Sequence, residues 1–231
     1  MLSNSIANKL KAFFCLNKII NLQYLLIMKA NYIEFYFDCS SPWTYLAFSE
    51  ILPLSQRHKL EIEWKPVLVG GIFNTVNQDV YKFRDKPNPL KLKYSMSDLN
   101  LWAKVRDLSV SMPKVFPVNS VKAMRGCLFA DTKNSLPTFA EKVFDAYWGQ
   151  GLDISDESVL FEIAESVELS LEEFKKYISS QAAKDLLKQN TSELICRGGF
   201  GSPTFFYQEH MFFGNDRLHL LEAVLVNNLT N

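Results

Sequence analysis

Two hydrophobic periods alternate along the chain, and their order predicts the architecture. Residues 32–38, YIEFYFD, form a short aromatic and β-branched run bounded by turn chemistry, which predicts a strand buried on both faces. Residues 43–58, WTYLAFSEILPLSQRH, carry Tyr45, Leu46, Phe48, Ser49 and Leu52 at helical spacing, and Pro53 is expected to kink or split that helix. LEIEWKPVLVGG then alternates Leu60, Ile62 and Trp64 with charged residues, which predicts a second strand ending at Gly70-Gly71. A β-α-β order implies a parallel pair with a right-handed crossover.

From about residue 72 to 195 the strand signals vanish and capped helices replace them. SDESVLFEIAESV places Val159, Leu160, Ile163, Ala164 and Val167 on one stripe, with Ser155 as the expected N-cap. Ser170 and Glu173 have the spacing of a capping box, and Gly149 is the expected stop of AEKVFDAYWGQG. Prolines at 87–89 and 113–117 separate further helices. After Gly198-Gly199 the strand pattern returns. SPTFFYQEHMFFG predicts two strands with a hairpin at Gln208-Glu209-His210, and NDRLHLLEAVLV a closing helix capped by Asn215 or Asp216. The prediction is an α/β thioredoxin-like fold with a large all-helical domain inserted between its β-α-β and β-β-α halves. Residues 32–73 and 196–231 form the thioredoxin-like domain, 74–195 the inserted helical domain, and 1–31 an N-terminal extension.

Composition narrows the function. The 231 residues are 48% hydrophobic and carry 25 basic and 25 acidic side chains, so the chain is globular and formally neutral. No basic face of the kind that binds nucleic acid is legible. The first 33 residues hold four lysines and no acid, as targeting segments do, but lysines interrupt the apolar part and no small-residue cleavage site is evident. Met28 lies four residues before the first strand, so residues 1–31 read as a dispensable extension, a start placed upstream of the true one, or a targeting segment. Its apolar stretches are too short to span a bilayer. Cys15, Cys39, Cys127 and Cys196 form no C-x-x-C pair and no metal-ligand spacing with His58, His210 and His219. No metal is expected, and scattered free thiols point to a reducing, cytoplasmic compartment.

One short stretch carries the chemistry. In DCSSPWTYLAF a strand feeds a helix through a Ser-Pro turn, where thioredoxin-like proteins keep a reactive C-x-x-C. Ser41 and Thr44 stand there instead, with Cys39 two residues upstream. With Pro42 at the first helical position, Ser41 lies at a helix N-terminus, whose free amides and dipole favour an anion. The same serine is equally suited to be a plain N-cap. Trp43 and Tyr45 could wall an aromatic pocket or belong to the core.

FYFDCSSPWTYLA, PVLVGGIF, FPVNSVKAMRG, WGQGLDIS and GGFGSPTFF…MFFGNDRL together resemble the 2-hydroxychromene-2-carboxylate isomerases and the related kappa-class glutathione transferases. The resemblance runs from about Tyr32 to Val226, and the ordered pair D-x-x-S-P and F-G-x-P-T…F-G-x-D-R makes it specific. It implies that glutathione supplies the sulfur and that Ser41 is the catalytic residue holding its thiolate. It implies further that Pro203 is cis, so that the Ser202 backbone receives the cysteinyl part of glutathione as an added strand. Asn215 and Asp216 would receive the γ-glutamyl end, and Lys91 in KLKY the glycyl carboxylate. The loop IFNTVNQDVY would place Asn77, or Gln78 beside it, near the sulfur.

The activity so implied is a glutathione-dependent isomerisation of an aromatic, chromene-type substrate by a homodimer, with aromatic catabolism as its setting. A kappa-like transferase or peroxidase is the alternative on the same scaffold. A thiol-disulfide oxidoreductase using Cys39 and a non-catalytic thioredoxin-fold binding module are the rivals from other classes.

Overall fold

A computed structural model describes residues 32–227, so the expectations for residues 1–31 fall outside the described residues. The chain opens with β1 (Tyr32–Phe37), α1 (Pro42–His58) and β2 (Glu61–Pro66). There follow α2 (Val69–Val76), α3 (Asp79–Asp85), α4 (Pro89–Val105), α5 (Val121–Asp131), α6 (Leu136–Phe144), α7 (Glu157–Ser166), α8 (Leu171–Ile178) and α9 (Gln181–Cys196). It closes with β3 (Thr204–Tyr207), β4 (His210–Phe213), a short 3-10 turn (Asn215–Arg217) and α10 (Leu218–Asn227).

The four strands form one mixed sheet in the order β2-β1-β3-β4. β1 and β2 are parallel, with Phe35 opposite Trp64, while β3 runs antiparallel to both β1 and β4. This is the thioredoxin-like arrangement expected from the β-α-β and β-β-α patterns. The β3–β4 hairpin turns at Gln208-Glu209, and Gln208 takes a φ of 54° there.

Alternation along β1 sorts its side chains onto two faces. Ile33, Phe35 and Phe37 enter the main core with Phe48, Ile51 and Leu54 of α1 and Phe144 of α6. Phe35 stacks on Phe205 of β3 at 4.6 Å between ring centroids. On the opposite face Tyr36 and Phe206 pack with Ile72 of α2 and Leu194 of α9. Helices therefore cover both faces, which is why β1 reads as a continuous apolar run.

Four local expectations are corrected. Pro53 neither splits nor ends α1, which runs unbroken from Pro42 to His58. Phe48, Ile51 and Leu54 are buried on both sides of the proline, and that packing holds one helix across it. Gly70 and Gly71 belong to α2, not to β2, because the strand ends at Pro66. The cap of α7 is Asp156, which accepts the Ser158 amide at 2.9 Å, while the Ser155 hydroxyl bonds Asp153 instead. Gly149 is not a C-cap: α6 ends at Phe144, and Asp145–Gly149 continue as a π-helical turn closed by Gln150 N–H to the Asp145 carbonyl at 2.8 Å.

Candidate active site

The site begins where β1 ends. Ser41 is the N-cap of α1: its Oγ accepts the Thr44 amide at 3.3 Å, and Pro42 holds the first helical position. Pro42 has no N–H, and the Trp43 amide, at the second position, has no described hydrogen-bond partner. The turn thus leaves a hydroxyl and a helix N-terminus facing the same place.

Across from it runs the loop before β3. The Ser202-Pro203 peptide is cis, as expected, and the Ser41 hydroxyl donates to the Ser202 carbonyl at 3.3 Å. Ser202 is itself fixed from below, because its Oγ lies 2.8 Å from Thr44 Oγ1 and accepts the Asp38 amide at 3.1 Å. The Pro203 carbonyl accepts the Gly214 amide at 3.0 Å, which brings Asn215 and Asp216 to the same end of the sheet. Asn215 is only 3% exposed, and its side-chain carbonyl is buried with no hydrogen-bond partner. An orphaned buried acceptor of this kind costs free energy unless a donor reaches it. Asp216 is half exposed and pairs with Arg217 at 3.2 Å. The 3-10 turn is entered by Gly214 at φ 107°, and neither Asn215 nor Asp216 caps it with a side-chain bond.

The stretch IFNTVNQDVY, expected as a loop, is helical in α2 and α3 except at Asn77 and Gln78, and that break between the two helices also reaches this cluster. Asn77, at the C-terminus of α2, donates its side-chain amide to the Phe200 carbonyl at 3.1 Å, two residues before Ser202. Gln78, the N-cap position of α3, turns away and bonds the Asn74 carbonyl of α2. Between the two loop residues, Asn77 is the one that faces the cis-proline loop. Lys91 stands apart: it is exposed in the first turn of α4, and no described contact links its ammonium to Ser41 or Ser202.

Asp38 binds these pieces together, and the sequence pattern did not single out that role. Its buried carboxylate accepts the Ser40 amide at 2.9 Å, the Val69 amide at 2.8 Å and the Ser120 hydroxyl at 3.1 Å. One side chain therefore fixes the serine turn, the start of α2 and the residue preceding α5. Burial pushes this carboxyl above the ordinary carboxylate range, with the hydrogen bonds from Ser40, Val69 and Ser120 pulling the other way. Trp148 supports the same turn by donating its indole N–H to the Cys39 carbonyl at 3.0 Å. The visible signals were the spacing of Asp38 from Ser41 and the WGQG stretch, but neither names a partner.

Cys39 is poorly suited to redox work. It is fully buried, and burial, then Cys127, then Asp38 push its thiol well above the ordinary thiol range. A reactive cysteine needs the opposite environment. Tyr45 is core, stacked on Phe144 at 5.3 Å, so it does not wall a pocket. Trp43 is half-buried against Leu46, Leu99 and Ala103.

With the geometry in view, the comparisons decide the lineage. Residues 32–226 match the DSBA-like thioredoxin domain. The chain belongs to that family. Within it, the chain is 30% identical over 195 residues to the 2-hydroxychromene-2-carboxylate isomerase of Pseudomonas putida, which covers 84% of this chain and 93% of the relative. Glutathione S-transferase kappa 1 of Homo sapiens is 26% identical over 211 residues, covering 84% and 90%. A solved 2-hydroxychromene-2-carboxylate isomerase superposes with a TM-score of 0.74 at 27% identity, over 86% of this chain and 96% of that one. Ser41 and Thr44 occupy the C-x-x-C spacing at the start of α1, and among the described residues no pair of cysteines has that spacing.

Proposed function

We propose that the protein is a glutathione-dependent isomerase of the 2-hydroxychromene-2-carboxylate type, with Ser41 holding the glutathione thiolate. One observation carries the reading. Ser41 Oγ is aimed by the Thr44 amide at the helix N-terminus, and its proton rests on the Ser202 carbonyl at a long 3.3 Å. A bond of that length is weak, so the hydroxyl can turn to a sulfur anion at small cost. The helix N-terminus and the Trp43 amide add positive potential there, as they do for low-pKa thiols in other proteins.

In the proposed reaction the thiolate adds to an electrophilic carbon of a conjugated double bond. A carbon–sulfur bond forms, the π electrons move onto the substrate carbonyl oxygen, and the former double bond becomes rotatable. After rotation the electrons return, the carbon–sulfur bond breaks, and glutathione leaves unchanged. Nothing is oxidised or reduced overall. The protein supplies a preorganised thiolate and orientation. In this scheme the Ser202 backbone binds the cysteinyl part, Asn215 and Asp216 the γ-glutamyl end, Asn77 the region of the sulfur and Lys91 the glycyl carboxylate. Lys91 requires glutathione to reach out to α4, since nothing described draws it inward. A cytoplasmic homodimer belongs to the same proposal.

The kappa transferase relative favours a second reading on the same site, in which glutathione is consumed. Assaying chromene isomerisation with and without glutathione, for wild type and Ser41→Ala, tests both. The first reading predicts turnover that needs glutathione without consuming it and that collapses in Ser41→Ala. Accumulating conjugate or oxidised glutathione favours the second. Turnover without glutathione, or an unaffected Ser41→Ala, contradicts both.

A further inference from the structure

Arg84, on α3, has a positive charge with no carboxylate partner among the described residues, although Lys82 on the same helix pairs with Asp79 at 2.7 Å. Its guanidinium lies over two aromatic rings instead, 5.6 Å from the centroid of Phe73 and 5.5 Å from that of Phe116. Both rings lead back to the site. Phe116, 41% exposed, packs edge-on against Trp148 at 6.1 Å, and Trp148 holds the Cys39 carbonyl. Phe73 lies one turn before Asn77, which bonds the Phe200 carbonyl beside Ser202. Burial, then Asp153 and Asp38, push the Tyr147 hydroxyl up to about 12, and the Arg84 charge pulls weakly the other way.

A guanidinium stacked on rings keeps its N–H edge free for in-plane hydrogen bonds, and two parallel N–H groups match a carboxylate. The exposed Phe116 ring and the partly buried Phe73 ring offer flat apolar contact alongside it. We propose that Arg84, with Phe73 and Phe116, is the subsite for the carboxylate of a planar aromatic acid at the mouth of the Ser41 site. This assigns a specificity-determining residue to the proposed isomerase and rests on that reading for its chemistry, though not for its test. A lysine would serve less well, since it offers a point charge without the planar fork.

The test compares equilibrium binding of coumarin-3-carboxylate, a planar bicyclic acid, with that of its neutral methyl ester. Wild type, Arg84→Gln and Arg84→Lys are used, and glutathione affinity is measured separately for each by calorimetry. Wild type should prefer the acid by about tenfold, Arg84→Gln should lose the preference, and Arg84→Lys should keep only part of it. Glutathione affinity should be the same in all three. An acid preference that survives in Arg84→Gln, or its absence from wild type, overturns the subsite. If wild type binds no glutathione but the Arg84-dependent preference is present, the subsite is supported and the glutathione reading fails, so the two failures are distinct.

Discussion

Ser41 donates to the main-chain carbonyl of Ser202 across 3.3 Å, joining the start of α1 to the cis-proline loop 161 residues later. The contact is side chain to main chain, so it asks only that residue 202 have a carbonyl. It asks much more of residue 41, which must offer both an acceptor for Thr44 and a proton for whatever occupies the gap. In the proposed function this gap is where the sulfur of glutathione would sit.

Cys39→Ala should leave glutathione-dependent activity within about twofold of wild type, because a buried, protonated thiol contributes no nucleophile. Its cost should appear in stability, at about 1 kcal/mol for the small void left in the core. Steady-state kinetics beside thermal unfolding separate the two effects. Abolished activity in a folded variant would point to disulfide exchange through Cys39.

Asp38→Asn should destabilise by about 1–3 kcal/mol, since an amide can accept from some of the three donors but turns its own N–H2 toward another. The pH dependence has a definite sign. A carboxyl whose folded pKa is raised above the ordinary value of about 3.9 binds more protons folded than unfolded, so its contribution to stability falls as pH rises. The stability of wild type relative to Asp38→Asn should therefore narrow between about pH 4 and the raised folded pKa. Denaturant unfolding of both proteins at several pH values measures the gap, and a gap that widens with pH would refute the assignment.

Arg197→Ala should lower stability by about 2 kcal/mol, between the values for an exposed and a fully buried ion pair, because the Arg197 side chain is partly exposed. Arg197 donates to Glu34 at 3.0 Å and to Tyr36 at 2.9 Å, and lies 3.6 Å from the Phe206 ring centroid. It anchors the end of α9 immediately before Gly198-Gly199 and the cis-proline loop. A double-mutant cycle with Glu34→Ala should show the two losses to be less than additive. Full additivity would mean the pair carries no coupling.

Gly199→Ala should disturb the loop that delivers Ser202. A Cβ there would come within 2.2 Å of Leu194 Cδ1 and 3.0 Å of the Leu194 carbonyl, so the loop must shift away from α9. Thermal unfolding should show a loss of about 1–3 kcal/mol from overpacking, accompanied by weaker glutathione binding. Unchanged unfolding and binding would show that the loop tolerates the shift.

The elements were legible where local chemistry decides them. The aromatic run of β1, the Ser170 cap that accepts the Glu173 amide, and the hairpin at Gln208-Glu209 all follow from neighbours in sequence. The failures are places where a distant residue decides. Val69-Gly70-Gly71 turn helical because the Asp38 carboxylate, 31 residues upstream, receives the Val69 amide and so caps α2 from across the fold. No local pattern announces that cap, since Leu68 offers no side-chain acceptor. Glu173 likewise leaves its half of the capping box and pairs with Lys133 of the α5–α6 connection at 2.7 Å. For the site, Ser41, Ser202, Pro203, Asn77 and Asn215 were reached through motif resemblance, and the fold brings them to one end of the sheet. Thr44 and Asp38 were visible in the motif but their partners were not, and Trp148 was visible only within WGQG, because the Thr44–Ser202, Asp38–Val69 and Trp148–Cys39 contacts are long-range.

The most direct measurement is the ionisation of glutathione bound to wild type and to Ser41→Ala, followed by thiolate absorbance near 240 nm as pH is varied. The account predicts that the thiol bound to wild type ionises at least about one unit below the ordinary value of about 8.5, and that it returns toward that value in Ser41→Ala. The alanine variant should lose only about 1 kcal/mol of stability from the missing cap, so a folded comparison is available. A bound thiol that ionises at the same pH in both proteins would contradict the central claim.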